Sequence, residues 1–211
     1  MGQAAMRANQ RDFTILGKAP LVRAVFEGHD IGALWRPLFA RLSADPGDAG
    51  AFFDVSILLR AIGRDGDATI SQRAALELAR TFRIRNGNGG GAIIVALVTE
   101  GDFMANPPVA FLLEDSDTTL ILHYVDADTA DLADLPAHDA VIVAVGESEA
   151  NQPVLRRLAR LLDGWRGPIL NNAPGRIAGL TREGVAVCFA DVPAIVAPPV
   201  GRATRFDLAQ V

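Results

Sequence analysis

Asn86-Gly-Asn-Gly-Gly-Gly91, followed directly by Ala92-Ile-Ile-Val-Ala-Leu-Val98, is the stretch on which the fold turns. Glycines in such a run supply no side chains for packing and admit positive φ, so neither helix nor strand is expected to persist across them. The apolar run behind them reads as a strand covered on both faces. Upstream, apolar residues recur at three- and four-residue spacing; downstream, continuous apolar runs alternate with helical stretches. This change of texture predicts an α/β fold: an N-terminal α-helical hairpin cap, then a Rossmann-like, mostly parallel sheet with flanking helices. The expected boundaries are a tail over residues 1–19, a helical region over 20–85, a glycine-rich linker over 86–91, a sheet domain over 92–200 and a second tail over 201–211.

Within the helical region, Leu21, Ala24 and Val25 predict a short turn of helix before Gly28. Leu34, Trp35, Leu38, Phe39 and Leu42 make one apolar face of a second helix, which Asp45-Pro46-Gly47-Asp48 stops while capping a third. Phe52, Phe53, Val55, Leu58, Leu59 and Ile62 mark that third helix, ending at Gly63. The turn Arg64-Asp-Gly-Asp67 leads to a fourth, with Ile70, Ala74, Leu76, Leu78, Ala79 and Phe82. Helix, tight turn, helix, with Pro46 ahead of the pair, resembles a single tetratricopeptide-like hairpin. Such a hairpin either offers a groove to a partner protein or packs as a helical layer on the next domain.

Beyond the glycines, strands are expected at Thr119–Val125 and Ala140–Val145, with shorter ones at Pro168–Leu170 and Ala194–Ala197. Helices are expected at Pro107–Leu113, Pro153–Trp165 and Arg182–Phe189. In open parallel sheets ligands sit at the carboxyl ends of the strands, which selects two loops. The loop after the first strand offers Gly101 for close backbone approach, with Asp102 and Asn106 ahead of a helix that Pro107 would start. One glycine does not make the three-glycine dinucleotide fingerprint, and Gly89–Gly91 precede their strand with no Gly-Lys-Ser/Thr behind them. The loop after the third strand brings Gly146, Glu147, Ser148 and Asn151 toward the same crevice. Gly146-Glu-Ser148 lacks the second glycine of a nucleophile elbow. Turn shaping and helix capping compete with ligand binding at all of these polar residues.

His123 lies inside an apolar strand and His138 beside Asp139, without the spacing of zinc ligands. Asp126-Ala-Asp128-Thr-Ala-Asp131 lacks the central glycine and closing glutamate of a calcium loop and reads as a solvated acidic loop. Cys188 reads as a small buried apolar residue. As the only cysteine, it excludes an intramolecular disulfide and fits a reducing compartment. A net charge of −5 argues against a dedicated nucleic-acid surface. Lys18 is the only lysine, and the arginines are dispersed along the chain. With 50% hydrophobic and 21% charged residues the chain can fill a sizeable core. The first twenty residues hold no apolar core of a secretory signal, and no run approaches the ~18 apolar residues of a membrane span. A soluble, cytoplasmic protein with neither membrane nor nucleic-acid partner is expected.

Gly167-Pro-Ile-Leu-Asn171-Asn172-Ala-Pro-Gly-Arg-Ile-Ala-Gly-Leu-Thr-Arg-Glu-Gly184, followed by Asp191-Val-Pro-Ala-Ile-Val-Ala-Pro198-Pro199, resembles the end of the pre-ATP-grasp domain of ATP-grasp ligases. Gly101–Asp117, Leu135–Pro153 and Ala44–Ser56 are similar to bacterial proteins that join a tetratricopeptide-like region, a pre-ATP-grasp domain and an ATP-grasp domain. The resemblance covers roughly residues 20 to 200. It implies that strand-end loops line a substrate wall, which falls on Gly101, Asp102, Asn106, Gly146, Glu147, Ser148, Asn151 and Asn172. It also implies that ATP and magnesium are held by domains after the proline strand, through lysines, acidic residues and asparagines. This sequence has Lys18 as its one lysine, and Thr181-Arg-Glu-Gly184 stands where a helix-starting lysine is common. The expectation is therefore a non-catalytic, substrate-side half of a carboxylate–amine ligase, with no catalytic residue, cofactor or metal of its own. Its partners would be a small-molecule substrate and the ATP-grasp domains. From the residues alone two further functions stand beside it: a free-standing scaffold using the helical hairpin, and a small nucleotide- or phosphate-binding α/β protein.

Overall fold

The computed structural model describes residues 13–201 together with 203, 204, 207 and 209. A two-residue strand, β1 (Phe13–Thr14), leads into four helices: α1 (Lys18–Phe26), α2 (Ile31–Ala44), α3 (Ala49–Ala61) and α4 (Asp65–Leu78). Then come β2 (Thr81–Arg85), β3 (Ile93–Val98), α5 (Val109–Leu113), β4 (Thr119–Tyr124), β5 (Ala140–Val143), α6 (Gln152–Leu161), β6 (Ile169–Leu170), α7 (Pro174–Gly179) and α8 (Arg182–Phe189). The strands form one sheet in the order β1-β2-β4-β3-β5-β6. β4, β3, β5 and β6 run parallel, as do β1 and β2, and only the β2–β4 pair is antiparallel. The fold is α/β with a mostly parallel sheet.

The apolar runs are continuous because each strand feeds two cores. Successive side chains point to opposite faces, so Ala96 and Val98 of β3 join one cluster while Val95 and Leu97 join the other. In β4, Leu120 and Tyr124 go to the first and Ile121 to the second. The first cluster adds Leu21, Leu38, Phe53, Leu58 and Leu76 from α1 to α4. The second adds Val154, Leu155 and Leu158 from α6, together with Leu162 just past its end, one stripe at helical spacing. Each fully buried side chain of this size contributes about 1.5–3 kcal/mol relative to exposure. Helices α1 to α4 and the sheet thus share a single core.

The elements differ from expectation at several points. Phe82 belongs to β2 rather than to the fourth helix, which ends at Leu78. Thr81-Phe-Arg-Ile-Arg85 alternates, and Phe82 and Ile84 are buried against the helices. The glycine segment 86–91 joins two strands of the same sheet. Thr119, at the start of β4, pairs with both Arg85 and Ile93, so the segment passes over the end of β4. It is pinned there by Asn88 N–H to Asp117 Oδ1 (3.0 Å) and Gly91 N–H to the Asp117 carbonyl (2.8 Å). Residues 13–19 are part of the fold rather than a tail: β1 pairs with β2, and Ile15 and Ala19 are buried. Within the expected tail over 201–211, only 201, 203, 204, 207 and 209 are among the described residues. Residues 194–197 form no strand, and Val196 is 95% exposed. Cys188 is exposed, not buried. Among the described residues, no helix is long and apolar enough to cross a membrane.

Candidate functional site

β3 lies between β4 and β5, so the chain leaves it toward one neighbour and returns to the other. This is the point where an open sheet leaves a crevice at its strand ends. On the side of β4 and β2, a cavity of about 60 Å³ lies between the strand ends and the helical layer. Val98 and Tyr124, the last residues of β3 and β4, form part of its lining with Ile84 and Leu122. α3 contributes Phe53, Ser56 and Arg60, α4 Gln72 and α1 Lys18, and further residues come from the segment between β3 and α5. A water needs about 10–15 Å³ of such space, so there is room for a few waters or a small molecule.

Lys18 reaches this cavity because the chain before it is clamped. Leu16 and Gly17 donate their N–H groups to the two carboxylate oxygens of Asp54 at 2.9 and 3.0 Å. Gly17 has φ 85°, and a Cβ there would stand 2.6 Å from Ile84 Cδ1, so only glycine makes this entry into α1. Asp54 is fully buried, with Arg41 Nη1 at 3.9 Å. Burial pushes its pKa up to about 6, against the pull of the two N–H donors and Arg41. The half-buried Lys18 donates to the Phe103 carbonyl at 3.4 Å and lies 4.8 Å from the Phe103 ring centroid. Burial lowers its pKa; the Asp102 charge opposes this and the Arg60 charge adds to it.

Arg60 lies in the last turn of α3, and its side chain is 10% exposed. It holds Asp65 at 3.2 Å and Thr69 Oγ1 at 3.4 Å. Tyr124 packs edge-on against Phe53 and Phe82, at 5.6 and 6.0 Å between centroids. Its hydroxyl hydrogen-bonds Gln72, and burial raises its pKa. Gln72 Oε1 in turn accepts from Gly101 N–H at 3.3 Å. The charged lining groups are thus two cations, Lys18 and Arg60, and one carboxylate, Asp102. Arg60 shares its charge with Asp65, which lies outside the cavity lining.

Of the eight residues selected from the sequence, Gly101, Asp102 and Asn106 line this cavity; Gly146, Glu147, Ser148, Asn151 and Asn172 do not. Gly101 has φ 152°, and a Cβ on it would meet Ala105 Cβ at 2.6 Å. Asp102 Oδ1 accepts from Met104 and Ala105 N–H, which shapes the turn. Asn106 is spent on Thr99, bonding both its N–H (2.8 Å) and its carbonyl (2.7 Å). Asn151 joins the two strand-end loops, donating to the carbonyls of Ala105 and Gly146, each at 2.9 Å. Gly146 N–H also donates to Ala105 at 2.9 Å, so the loops close on each other. Ser148 Oγ accepts from Asn151 N–H at 3.1 Å, a local turn bond. Glu147 and Asn172 are exposed. The neighbouring Asn171, with φ 56°, makes the long-range contact instead, donating to the Val143 carbonyl at 2.9 Å.

Lys18, Arg60, Gln72 and Tyr124 are among the cavity residues not selected from the sequence. Lys18 carried one signal, as the sole lysine directly after a glycine and ahead of a helical stretch. Elsewhere, His123 is buried on β4 with Nδ1 at 3.0 Å from Thr81 Oγ1. Asp126 pairs with Arg80 at 3.1 Å and takes Asp128 N–H at 3.0 Å, an internally bonded acidic turn. No group of His, Cys, Asp and Glu among the described residues is placed to hold a metal ion. No family model matches the chain, and neither a curated protein nor a solved structure is found to be similar to it.

Proposed function

We propose that this chain is a substrate-binding half of an ATP-grasp ligase-type protein, and that its cavity takes a small organic carboxylate. One observation carries the binding part: Lys18 and Arg60 share a small, largely apolar cavity at the strand ends with a single carboxylate, Asp102. Charged groups so placed recognise a carboxylate through charge-assisted hydrogen bonds, which low local dielectric strengthens. The ligase part rests on the residues that resemble the pre-ATP-grasp domain. In that arrangement a carboxylate is activated as an acyl phosphate by ATP held elsewhere and then attacked by an amine. The 211-residue chain alone is expected to show no magnesium-dependent ATPase activity, and turnover above a blank would sink that part. Binding is tested by calorimetric titration with acetate, oxalate and inorganic phosphate. Removing one cation, as in Arg60→Met, is expected to weaken carboxylate binding about tenfold or more. Unchanged affinity in both Arg60→Met and Lys18→Met, or no binding of any anion, would rule it out.

A scaffold function is favoured by one separate feature, the stack of Trp35 on Phe39 at 5.4 Å, with Phe39 55% exposed on α2. A double change of Trp35 and Phe39 to alanine separates the two. Lost binding to a captured partner with an intact fold supports the scaffold; loss of the fold assigns the pair to packing.

A further inference from the structure

We propose that Lys18 is a covalent attachment site, its amine condensing with the carbonyl of a small 2-oxo acid whose carboxylate is held by Arg60. This rests on the carboxylate-binding reading of the same cavity and adds to it a substrate class and a bond.

Three observations on separate elements support it. First, Lys18 Nζ is placed by backbone, not by chance of a long side chain. The Asp54 clamp on Leu16 and Gly17 sets the start of α1, and the amine donates to the Phe103 carbonyl at 3.4 Å. Second, Arg60 comes to the same cavity from α3 with its side chain 10% exposed. A 2-oxo acid presents two adjacent functions, a carboxylate for the guanidinium and an electrophilic carbon for the amine, within a length of a few atoms. The cavity has room for such a small molecule. Third, apolar side chains of Phe53, Val98 and Phe103 line the space, and drier surroundings favour imine formation over hydrolysis. The lowered pKa of Lys18 agrees with this, since a larger share of the amine is unprotonated and nucleophilic near neutral pH. The like charge of Arg60 and the positive end of α1 act in the same direction.

The step balances without a further reagent. The Lys18 nitrogen attacks the carbonyl carbon and a C–N bond forms. Both amine hydrogens leave with the carbonyl oxygen as water, and an imine remains. Asp102, at the cavity wall with one oxygen fixed by Met104 and Ala105 N–H, is placed to pass a proton between nitrogen and oxygen.

The experiment uses glyoxylate with cyanoborohydride, which delivers hydride to an imine and leaves a stable secondary amine. Intact mass and peptide mapping then read the adduct. Because the chain has one lysine, an adduct on the peptide around Lys18 identifies the site, and Lys18→Arg accounts for labelling of the amino terminus. The native chain at neutral pH is expected to trap glyoxylate about tenfold faster than the same chain in urea. Arg60→Met is expected to slow trapping by a similar factor. Excess oxalate is expected to protect Lys18. A native rate equal to or below that of the urea-unfolded chain would overturn the proposal, as would trapping indifferent to both Arg60→Met and oxalate. Neither rate comparison in the wild-type chain depends on a variant folding. Oxalate binding without trapping overturns the covalent step and leaves the carboxylate site standing. Absence of both removes the two together.

Discussion

The two faces of the sheet are built from the same strands and do different things. On the α6 side, Val95, Leu97, Val141 and Val143 meet Val154, Leu155 and Leu158, an aliphatic layer with no charge inside it. On the side of α1 to α4, equally buried side chains surround Asp54, Gln72, Tyr124 and the cavity with Lys18 and Arg60. Burying polar groups costs free energy unless each is bonded. The α6 face meets that cost at one bonded pair, Thr81 with His123 at 3.0 Å, whereas the helical face meets it with more partners: two N–H groups on Asp54, and Gln72 on Tyr124 and Gly101. Under the proposed carboxylate-binding function, the ligand contacts fall on the helical face and the α6 face supports the sheet.

The strongest test truncates one core residue on each face. Phe82→Ala removes a ring stacked on Phe53 at 4.5 Å, and Leu155→Ala empties the α6 layer. They are expected to destabilise by about 3–5 and about 2–5 kcal/mol respectively in chemical denaturation. Only Phe82→Ala, which borders Tyr124, is expected to alter anion affinity. A drop in affinity from Leu155→Ala of equal size would break the division of labour.

Next in size is the pH dependence, where the two faces carry opposite signs. Asp54 has a folded pKa of about 6, above its unfolded value of 3.8. The folded state then binds more protons, so its contribution is full below pH 3.8 and is lost as pH rises through about 6. The loss is of order 2–3 kcal/mol. His123, on β4, has its pKa lowered first by burial and then by Arg80. Its folded state binds fewer protons, so stability from this residue is present above the unfolded value of 6.5 and lost as pH falls through the folded one. Denaturation curves between pH 4 and 7 are expected to lose the falling component in Asp54→Asn and the rising one in His123→Gln. An unchanged slope in either variant contradicts the assignment for that face.

Smaller again is the closure of the two strand-end loops. Asn151→Ala removes the donations to Ala105 and Gly146 and is expected to cost about 1–2 kcal/mol. Carboxylate affinity should stay within about twofold, since Asn151 does not line the cavity. A tenfold loss of affinity would return the binding role to this loop. Smallest is the exposed Glu147: Glu147→Gln is expected to stay within about 0.5 kcal/mol in stability.

The strands β3, β4 and β5 were legible because strands buried on both faces leave unbroken apolar runs. The caps were legible too: Asp48 accepts from Ala51 N–H at 2.9 Å, as its place before the third helix suggests. β2 carried the right alternation, but Phe82 also continued the helical spacing of α4, and the longer pattern prevailed. Residues 194–197 failed in the opposite way, since an apolar run becomes a strand only beside a partner strand. The strand-end rule selected two loops, of which only the one after β3 lines the cavity. It could not separate Asp102, which faces the cavity, from Asn106 and Asn151, whose polar groups are consumed by neighbouring backbone.

The sequence alone determined the alternation of helix and strand, the two-sided burial of the sheet and the turns, because periodicity, capping and glycine act over a few residues. Tertiary structure decided the rest. Asp54 lies 38 residues from the Leu16 N–H that it holds, and no local pattern encodes that distance. The same packing carries the only lysine out of an apparent tail and sets it beside Arg60, because a side chain's partner depends on which helix faces lie against the sheet.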